Sequence, residues 1–156
     1  MADASAEAVW QLAQLNVARM RAPLDAPELA DFVAALPEIN ALADAAPGFV
    51  WRLQTEEGDA TSIDAFGVDM LVNLSVWADL RSLQEFVFRT AHAEYMRRRR
   101  EWFERIGDAS LVLWWVRAGH RPGVTEARDA LDTLRRHGPT SAAFDFRAPF
   151  PAPGAS

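Results

Sequence analysis

The residues best suited to chemistry lie within positions 77–103, in the stretch WADLRSLQEFVFRTAHAEYMRRRREWF. An imidazole titrates near neutral pH and binds iron in its neutral form, so His92 is a candidate general base or axial haem ligand. A histidine at the edge of the core, bonded to a backbone carbonyl, is an equally good interpretation. Tyr95 is the only tyrosine, and four arginines follow it. Arg99 could hold a carboxylate or phosphate with two parallel bonds, although an arginine run is more typical of a solvated helix face.

The residue types that are missing narrow the chemistry. The chain has no cysteine, which excludes a thiol nucleophile, a cysteine-ligated zinc and an iron–sulfur cluster. All 16 basic residues are arginine, so a lysine Schiff base and a Walker-type phosphate loop are excluded as well. The three histidines do not favour a metal site within one chain, and none is predicted. Carboxylate, single-histidine, tyrosine, tryptophan or cofactor chemistry remains, as does binding without catalysis.

A second group of candidates comes from alternating positions of the predicted strands. Gln14 and Ser75 share strand faces with several amides and tryptophans, and we expect these faces to point away from the apolar helix stripes. Polar groups that converge under aromatic side chains are typical of small-molecule pockets, and a polar dimer interface with ordered water would give the same pattern. Besides the candidate catalytic His92, we predict ligand-binding roles for Asn16, Trp51, Asn73, Trp77, Tyr95, Arg99 and Trp114. For the second strand the alternation leaves open whether Arg52 or Trp51 faces the ligand.

The periodicity of apolar residues predicts an α+β fold. Alternation indicates strands at 9–19, 48–55, 71–77 and 110–117. Helical spacing indicates three helices, at about 25–46, 80–103 and 124–137. The order β-α-β-β-α-β plus a C-terminal helix is that of a ferredoxin-like antiparallel sheet with both crossing helices on one face. We also expect a short strand at 144–146.

The helices carry more specific expectations. Asp25 and Glu28 fit a capping box for the first helix, and Asp79 fits an N-cap of the second. Asn40 lies inside the apolar stripe of the first helix, where a satisfied core amide is more typical than a ligand contact. Taken as one continuous helix, 80–103 places Trp102 on the packing stripe of Leu80 and Val87. Arg98 falls inside that stripe and must therefore either extend its guanidinium to the solvent or find an anionic partner.

Length and charge favour a single domain. A chain of 156 residues fits one domain, predicted at 9–147 with flexible ends at 1–8 and 148–156. No segment has the pattern of a signal peptide or membrane span, so a cytoplasmic location is the default expectation. The net charge of -6 disfavours nucleic-acid binding. Leu12, Trp51 and Trp77 make the second sheet face too apolar for water. We therefore expect a homodimer.

Several stretches also resemble a known family. They are LAQLNVARMRAPLD, INALADAAPGFVWRLQTEEGDAT, LVNLSVW, HAEYMRRRREWF and LWWVRAGHRP. Together, over about residues 10–147, they resemble a widespread family of uncharacterised bacterial proteins in the dimeric α+β barrel superfamily, alongside antibiotic-biosynthesis-type monooxygenases. The resemblance implies a dimeric α+β barrel. The wider superfamily of that family includes cofactor-free monooxygenases that act on polycyclic phenols. It also includes haem enzymes such as aldoxime dehydratases and chlorite dismutases. The resemblance assigns no role to any residue of this chain.

Three functions are compatible with these observations. In a cofactor-free monooxygenase, Asn16, Trp77 and His92 would fix and deprotonate a phenolic substrate. In a haem protein, His92 or, less favoured, the loop residue His120 would ligate iron, with Arg98 or Arg99 on a propionate. In a non-catalytic binding or structural dimer, the tryptophans would form the core of an interface. The cofactor is thus either none or haem.

Overall fold

The computed structural model describes residues 9–23, 25–53, 70–89 and 92–154, with the backbone alone for 89 and 92–96. Within these ranges no helix is long and apolar enough to cross a membrane. In chain order the elements are β1 (Trp10–Met20), a 3₁₀ helix (Pro27–Leu29), α1 (Ala30–Ala45), β2 (Phe49–Arg52), β3 (Met70–Trp77), α2 (Leu80–Arg89), α3 (His92–Trp102), β4 (Phe103–Glu104), β5 (Leu111–Arg117) and α4 (Val124–His137).

The long strand β1 lies in the middle of one antiparallel sheet. On one side it pairs with β3, which in turn pairs with β2. On its other side it pairs with β5 and, at its end, with the two-residue β4. The four main strands therefore stand in the order β2-β3-β1-β5, which is the ferredoxin-like arrangement. The predicted α+β fold is confirmed, and α4 has the predicted bounds.

The sheet has two differently covered faces. On the face that we call the α4 face, Leu15 and Val112 belong to one buried cluster with Ala127, Leu131 and Leu134 of α4. The opposite face, which we call the cleft face, lies under α1 and α2. Its buried apolar residues are Leu12, Trp77, Leu83, Phe86, Leu113 and Phe144.

This arrangement corrects two predictions about the sheet. The polar strand face does not point away from the crossing helices, because Leu12 and Trp77 pack with residues of α1 and α2. Trp51 packs instead with the α4-face cluster. Leu12, Trp51 and Trp77 were expected to share one uncovered face, but they lie on two faces, and helices cover both. Because α4 covers the second face, that face gives no reason for a second copy of the chain. The homodimer stays a prediction, which light scattering of the purified protein would check.

A β-bulge in β2 explains why Trp51 is on the unexpected face. Phe49 pairs with Trp77, but the next pair joins Trp51 to Val76, so Val50 is an extra residue. The extra residue shifts the alternation, and Phe49 and Arg52 therefore share the cleft face. Simple alternation predicts Phe49 and Trp51 on the same side. It is wrong here because its period of two fails across a bulge.

The predicted helix at 80–103 is described as two helices, α2 and α3, and residues 90–91 between them lie outside the described ranges. Trp102 does not join the residues of α2. It is 2% exposed and packs with Met20, Leu29 and Phe32 in a cluster between α3, α1 and the end of β1. A single helical wheel fails because α2 and α3 pack on different partners.

Arg98 of α3 bonds to two carboxylates. Its guanidinium donates to Glu101 at 3.0 Å and to Asp31 of α1 at 3.0 Å, and it lies 4.7 Å from the Trp102 ring centroid. The hydrogen bonds to Glu101 and then Asp31 raise the pKa of Arg98, and the Arg98 bond lowers the pKa of Glu101. Of the two alternatives for Arg98, the structure shows the anionic partner.

The two predicted helix caps have different outcomes. Asp79 accepts a bond from the Ser82 backbone N–H at 2.8 Å, so it caps α2 as predicted. The capping box of Asp25 and Glu28 is wrong. The chain enters α1 through a 3₁₀ turn whose N-cap is Ala26, and neither this turn nor α1 has a side-chain cap.

The C-terminal tail packs along β5. Phe144 exchanges backbone hydrogen bonds with Leu113, at 2.7 and 2.8 Å, and forms an isolated bridge there instead of the predicted strand. Further along, the Phe150 carbonyl accepts a bond from the Trp115 indole at 2.9 Å. The predicted flexibility of residues 148–156 stays a prediction.

Candidate functional site

A cleft opens between α1, α2 and the cleft face of the sheet. Its volume is about 80 Å³. One buried water needs only about 10–15 Å³ on this measure, so the cleft has room for several waters or a small organic group. The described residues that line it are Gln14, Asn16, Ile39, Asn40, Ala43, Phe49, Arg52, Asn73, Ser75, Trp77, Leu83, Phe86, Val87 and Leu111.

Four hydrogen-bonded side chains form what we call the floor network: Gln14, Asn73, Ser75 and Trp77. Gln14 and Ser75 are directly opposite each other on β1 and β3, and each is 5% exposed. The Gln14 Nε2 group donates to Asn73 Oδ1 at 2.7 Å and to Ser75 Oγ at 2.8 Å. The Trp77 indole Nε1–H donates to the same Ser75 Oγ at 2.9 Å. Each side chain is thus held in one orientation.

Aromatic rings surround Trp77 at one end of the cleft. The ring of Phe49 meets it edge-on at 5.4 Å between centroids, and the ring of Phe86 stacks on it at 5.2 Å. Trp77 itself is 1% exposed. A wall of this kind suits the flat apolar body of an aromatic or conjugated molecule.

Arg52 is the charged residue among the described lining. Its Nε donates to Asp44 Oδ1 at 2.7 Å and its Nη2 to Oδ2 at 3.3 Å, in a forked pair. Because Asp44 already balances its charge, Arg52 is poorly placed to attract an anionic ligand. The described lining includes no histidine, aspartate or glutamate. The cleft is therefore suited to hydrogen bonding with neutral groups.

The structure brings together three of the predicted site residues. Asn16, Asn73 and Trp77 all line the cleft, and Asn16 and Asn73 are opposite each other on β1 and β3. Alternation alone located them correctly, because β1 and β3 pair without irregularity. Asn40, which the sequence favours as a core amide, also lines the cleft.

Three predicted site residues lie elsewhere. Trp51 is on the α4 face with the Arg121 guanidinium 5.8 Å from its ring centroid. Trp114 is also on the α4 face, where its Nε1–H donates to Glu126 of α4 at 2.9 Å. The bulge corrects the face predicted for Trp51, and Trp114 falls on the α4 side of the alternation of β5. The ligand-binding roles of both residues stay predictions. Arg99 is exposed on α3 and does not line the cleft.

The candidate imidazoles contribute nothing to the described lining. The side chains of His92 and Tyr95 lie outside the described residues, although both positions belong to α3. The His120 Nε2 group is 2.7 Å from Glu126 Oε1, with the side chain 49% exposed, so it is a surface residue next to α4. This agrees with the expectation of an exposed loop histidine.

Haem does not fit the cleft that these residues form. It would need an axial imidazole and free cations for its propionates, whereas no described lining residue is a histidine and Arg52 is bound by Asp44. The volume of about 80 Å³ is also far below that of pockets that enclose drug-sized molecules, roughly 300–1,000 Å³.

Sequence reasoning missed the aromatic and aliphatic walls. Phe49 was hidden by the bulge, which no residue type announces. Phe86 could have been found, because it lies three residues after Leu83 on the same helical stripe. Gln14 and Ser75 were correctly placed with the polar strand face, but which atoms bond to which depends on the cross-strand register.

The sheet order and the cleft over its helix-covered face define a ferredoxin-like α+β protein with a small-molecule-sized site. The chain belongs to the family described as "Domain of unknown function (DUF3291)", whose model matches residues 11–156. This membership confirms the resemblance to a family without an established activity. No curated protein matches the chain.

Two solved structures are similar to the chain. One is a protein of unknown function, NE2512, from Nitrosomonas europaea: 21% identity, 74% of this chain and 97% of that chain covered, TM-score 0.45. The other is SnoaB, a cofactor-independent oxygenase from Streptomyces nogalater: 15% identity, 73% of this chain and 96% of that chain covered, TM-score 0.45.

Proposed function

We propose that this protein binds a small, neutral, largely planar organic molecule in the cleft between α1, α2 and the sheet. The observation that carries the proposal is the floor network, with Gln14 and Ser75 buried, at the bottom of an aromatic-walled cleft. Polar side chains that are already locked in place lose little entropy on binding, which favours specific recognition. The forked Arg52–Asp44 pair disfavours an anion.

A cleft-filling substitution tests the binding proposal. Ala43 lines the cleft on α1, whereas Ala34 is exposed on the same helix. We expect Ala43→Phe to abolish binding of neutral bicyclic aromatic probes in ligand-observed NMR, because the new ring occupies the cleft. Ala34→Phe is the matched control and should bind like the wild type. Equal binding by all three proteins would contradict the proposal.

We propose as a second function the oxygenation of a small phenolic substrate without a cofactor. The observation that favours it is that aromatic walls and hydrogen-bonding groups face one cleft, so an aromatic oxygen could be held there. The reaction needs a base near the substrate hydroxyl. That role remains a prediction for the imidazole of His92.

Oxygen uptake separates the two functions. With a small oxygen-sensitive phenol as substrate, an oxygenase would consume oxygen faster than the uncatalysed solution. If the imidazole of His92 is the base, His92→Ala would slow oxygen uptake by about 10²–10⁴-fold. Binding of the phenol without accelerated uptake would leave a non-catalytic binding protein. An unchanged rate in His92→Ala would remove His92 from the reaction.

A further inference from the structure

Ser75 has an unusual position in the floor network. Its side chain is buried, with 5% of the residue exposed, yet it lines the cleft between Asn73 and Trp77 of β3. A hydroxyl can accept two hydrogen bonds and donate one. The roles of its neighbours therefore decide what Ser75 can offer to a ligand.

Both neighbours of the Ser75 oxygen are donors. The Trp77 indole nitrogen, at 2.9 Å, can only donate. The Gln14 amide nitrogen, at 2.8 Å, also only donates. Its identity as nitrogen rather than oxygen follows from a third contact: the same atom lies 3.3 Å from the Asn73 backbone carbonyl, which only accepts.

The Ser75 oxygen accepts from both groups, and the Gln14 amide shares its two protons between Ser75 Oγ and the two Asn73 oxygens. The Ser75 hydroxyl proton can go neither to Trp77 nor to Gln14, because both of those atoms are donors. Among the residues that the structure describes, no other group bonds to this oxygen. Within the described part of the chain the proton therefore has no acceptor, and a buried donor strongly favours a partner in the cleft.

We infer that the Ser75 hydroxyl is a fixed hydrogen-bond donor that selects ligands carrying a neutral acceptor oxygen, such as a ketone or quinone carbonyl. The inference rests on the proposed binding function and names the group that the site recognises. The two incoming bonds also polarise the hydroxyl and make it a better donor. A ligand of the same shape without an acceptor would leave the donor unpaired, which is costly in a buried site.

A pair of matched probes tests this specificity. 1-Indanone and indane have the same bicyclic body and differ by one carbonyl oxygen. We expect the wild type to bind 1-indanone about five- to tenfold more tightly in NMR titrations, the difference that one hydrogen bond gives. Ser75→Ala should bind both probes equally, and Ser75→Thr, which keeps the hydroxyl, should retain the preference.

The outcomes separate the inference from the proposed function. Failure of the wild type to bind either probe would overturn both. Equal binding of the two probes by the wild type, or an undiminished preference in Ser75→Ala, would overturn the inference alone. Should Ser75→Ala not fold, Ser75→Cys keeps the size of the side chain with a much weaker donor, and its preference should fall.

Discussion

The two faces of the sheet are built from alternate residues of the same strands, yet one is closed and the other is not. On the α4 face, Ala127 and Ala130 allow α4 to approach closely, and Leu15 and Val112 beneath it are 0% exposed. The cleft face has Gln14 and Ser75 in its floor and Phe86 above it. Where small residues of a helix lie on apolar strand residues, the two pack into a closed core. Where large rings lie above polar strand residues, a cleft remains.

The comparison teaches where function can be placed in a two-sided sheet. The α4 face supplies stability, because its strand residues pack against a complete helix. The cleft face gives up part of that packing to hold polar groups at fixed positions. Substitutions on the two faces should therefore separate stability from binding, as the following predictions specify in order of decreasing effect.

The largest effect is expected from Leu131→Ala on the α4 face. Leu131 is 1% exposed, and removing its buried methyl groups should lower the free energy of unfolding by about 2–5 kcal/mol in urea titrations. Affinity for 1-indanone should stay the same, because the cleft is on the other face. Arg136→Ala, on the exposed side of α4, is the control and should change little. Lost affinity without lost stability would contradict the separation of the two faces.

Gly48→Ala should give the next largest loss of stability and should distort the cleft face. Gly48 has φ +82°, and a β-carbon there would collide with the Ser82 side chain at the start of α2. The backbone strain alone costs about 1–3 kcal/mol. Phe49, the next residue, lines the cleft, so a shift of the backbone at Gly48 should weaken probe binding as well.

Gly119→Ala is the matched control for this substitution. Gly119 has φ +92°, but nothing lies within 4 Å of an added β-carbon. It therefore shares the backbone strain without the collision. Thermal unfolding of both variants should show the larger loss for Gly48→Ala, and equal losses would contradict the steric explanation.

A smaller effect is expected from Glu126→Ala, which removes the polar link of α4 to the sheet. The Trp114 indole, in a residue that is 6% exposed, would lose its acceptor. We expect a loss of about 1–2 kcal/mol in unfolding free energy. Glu126→Gln keeps an acceptor and should restore most of it. A Trp114 indole N–H resonance that does not move in Glu126→Ala would contradict the bond.

The smallest effect concerns Glu101, which lies on neither face. Arg98 lowers the pKa of Glu101 by its hydrogen bond. The carboxylate therefore stabilises the fold above the unfolded pKa, about 4.3, and this contribution is lost as the pH falls through the lower folded value. The stability difference between wild type and Glu101→Gln should be small at neutral pH, because the pair is exposed, and should vanish in acid. A difference that persists unchanged at low pH would contradict this.

Sequence reasoning predicted most of the sheet but only part of the site. The alternation in β1 and β3 is regular, so Asn16, Asn73 and Trp77 could be assigned to one face correctly. The assignment of Trp51 failed because the bulge adds a residue without a sequence signal. Which helices cover which face depends on tertiary packing, and periodicity along one element does not contain it.

The bulge at Val50 also has a consequence for how relatives of this chain are aligned. A relative that lacks Val50 would keep Phe49 opposite Trp77 and would bring Trp51 opposite Val76 by regular pairing, so both residues would face as they do here. Arg52 would stay in the lining of the cleft. A single-residue gap at this position of an alignment is therefore compatible with the same pocket. A one-residue deletion elsewhere in the strand would exchange the two faces and should be tolerated less well.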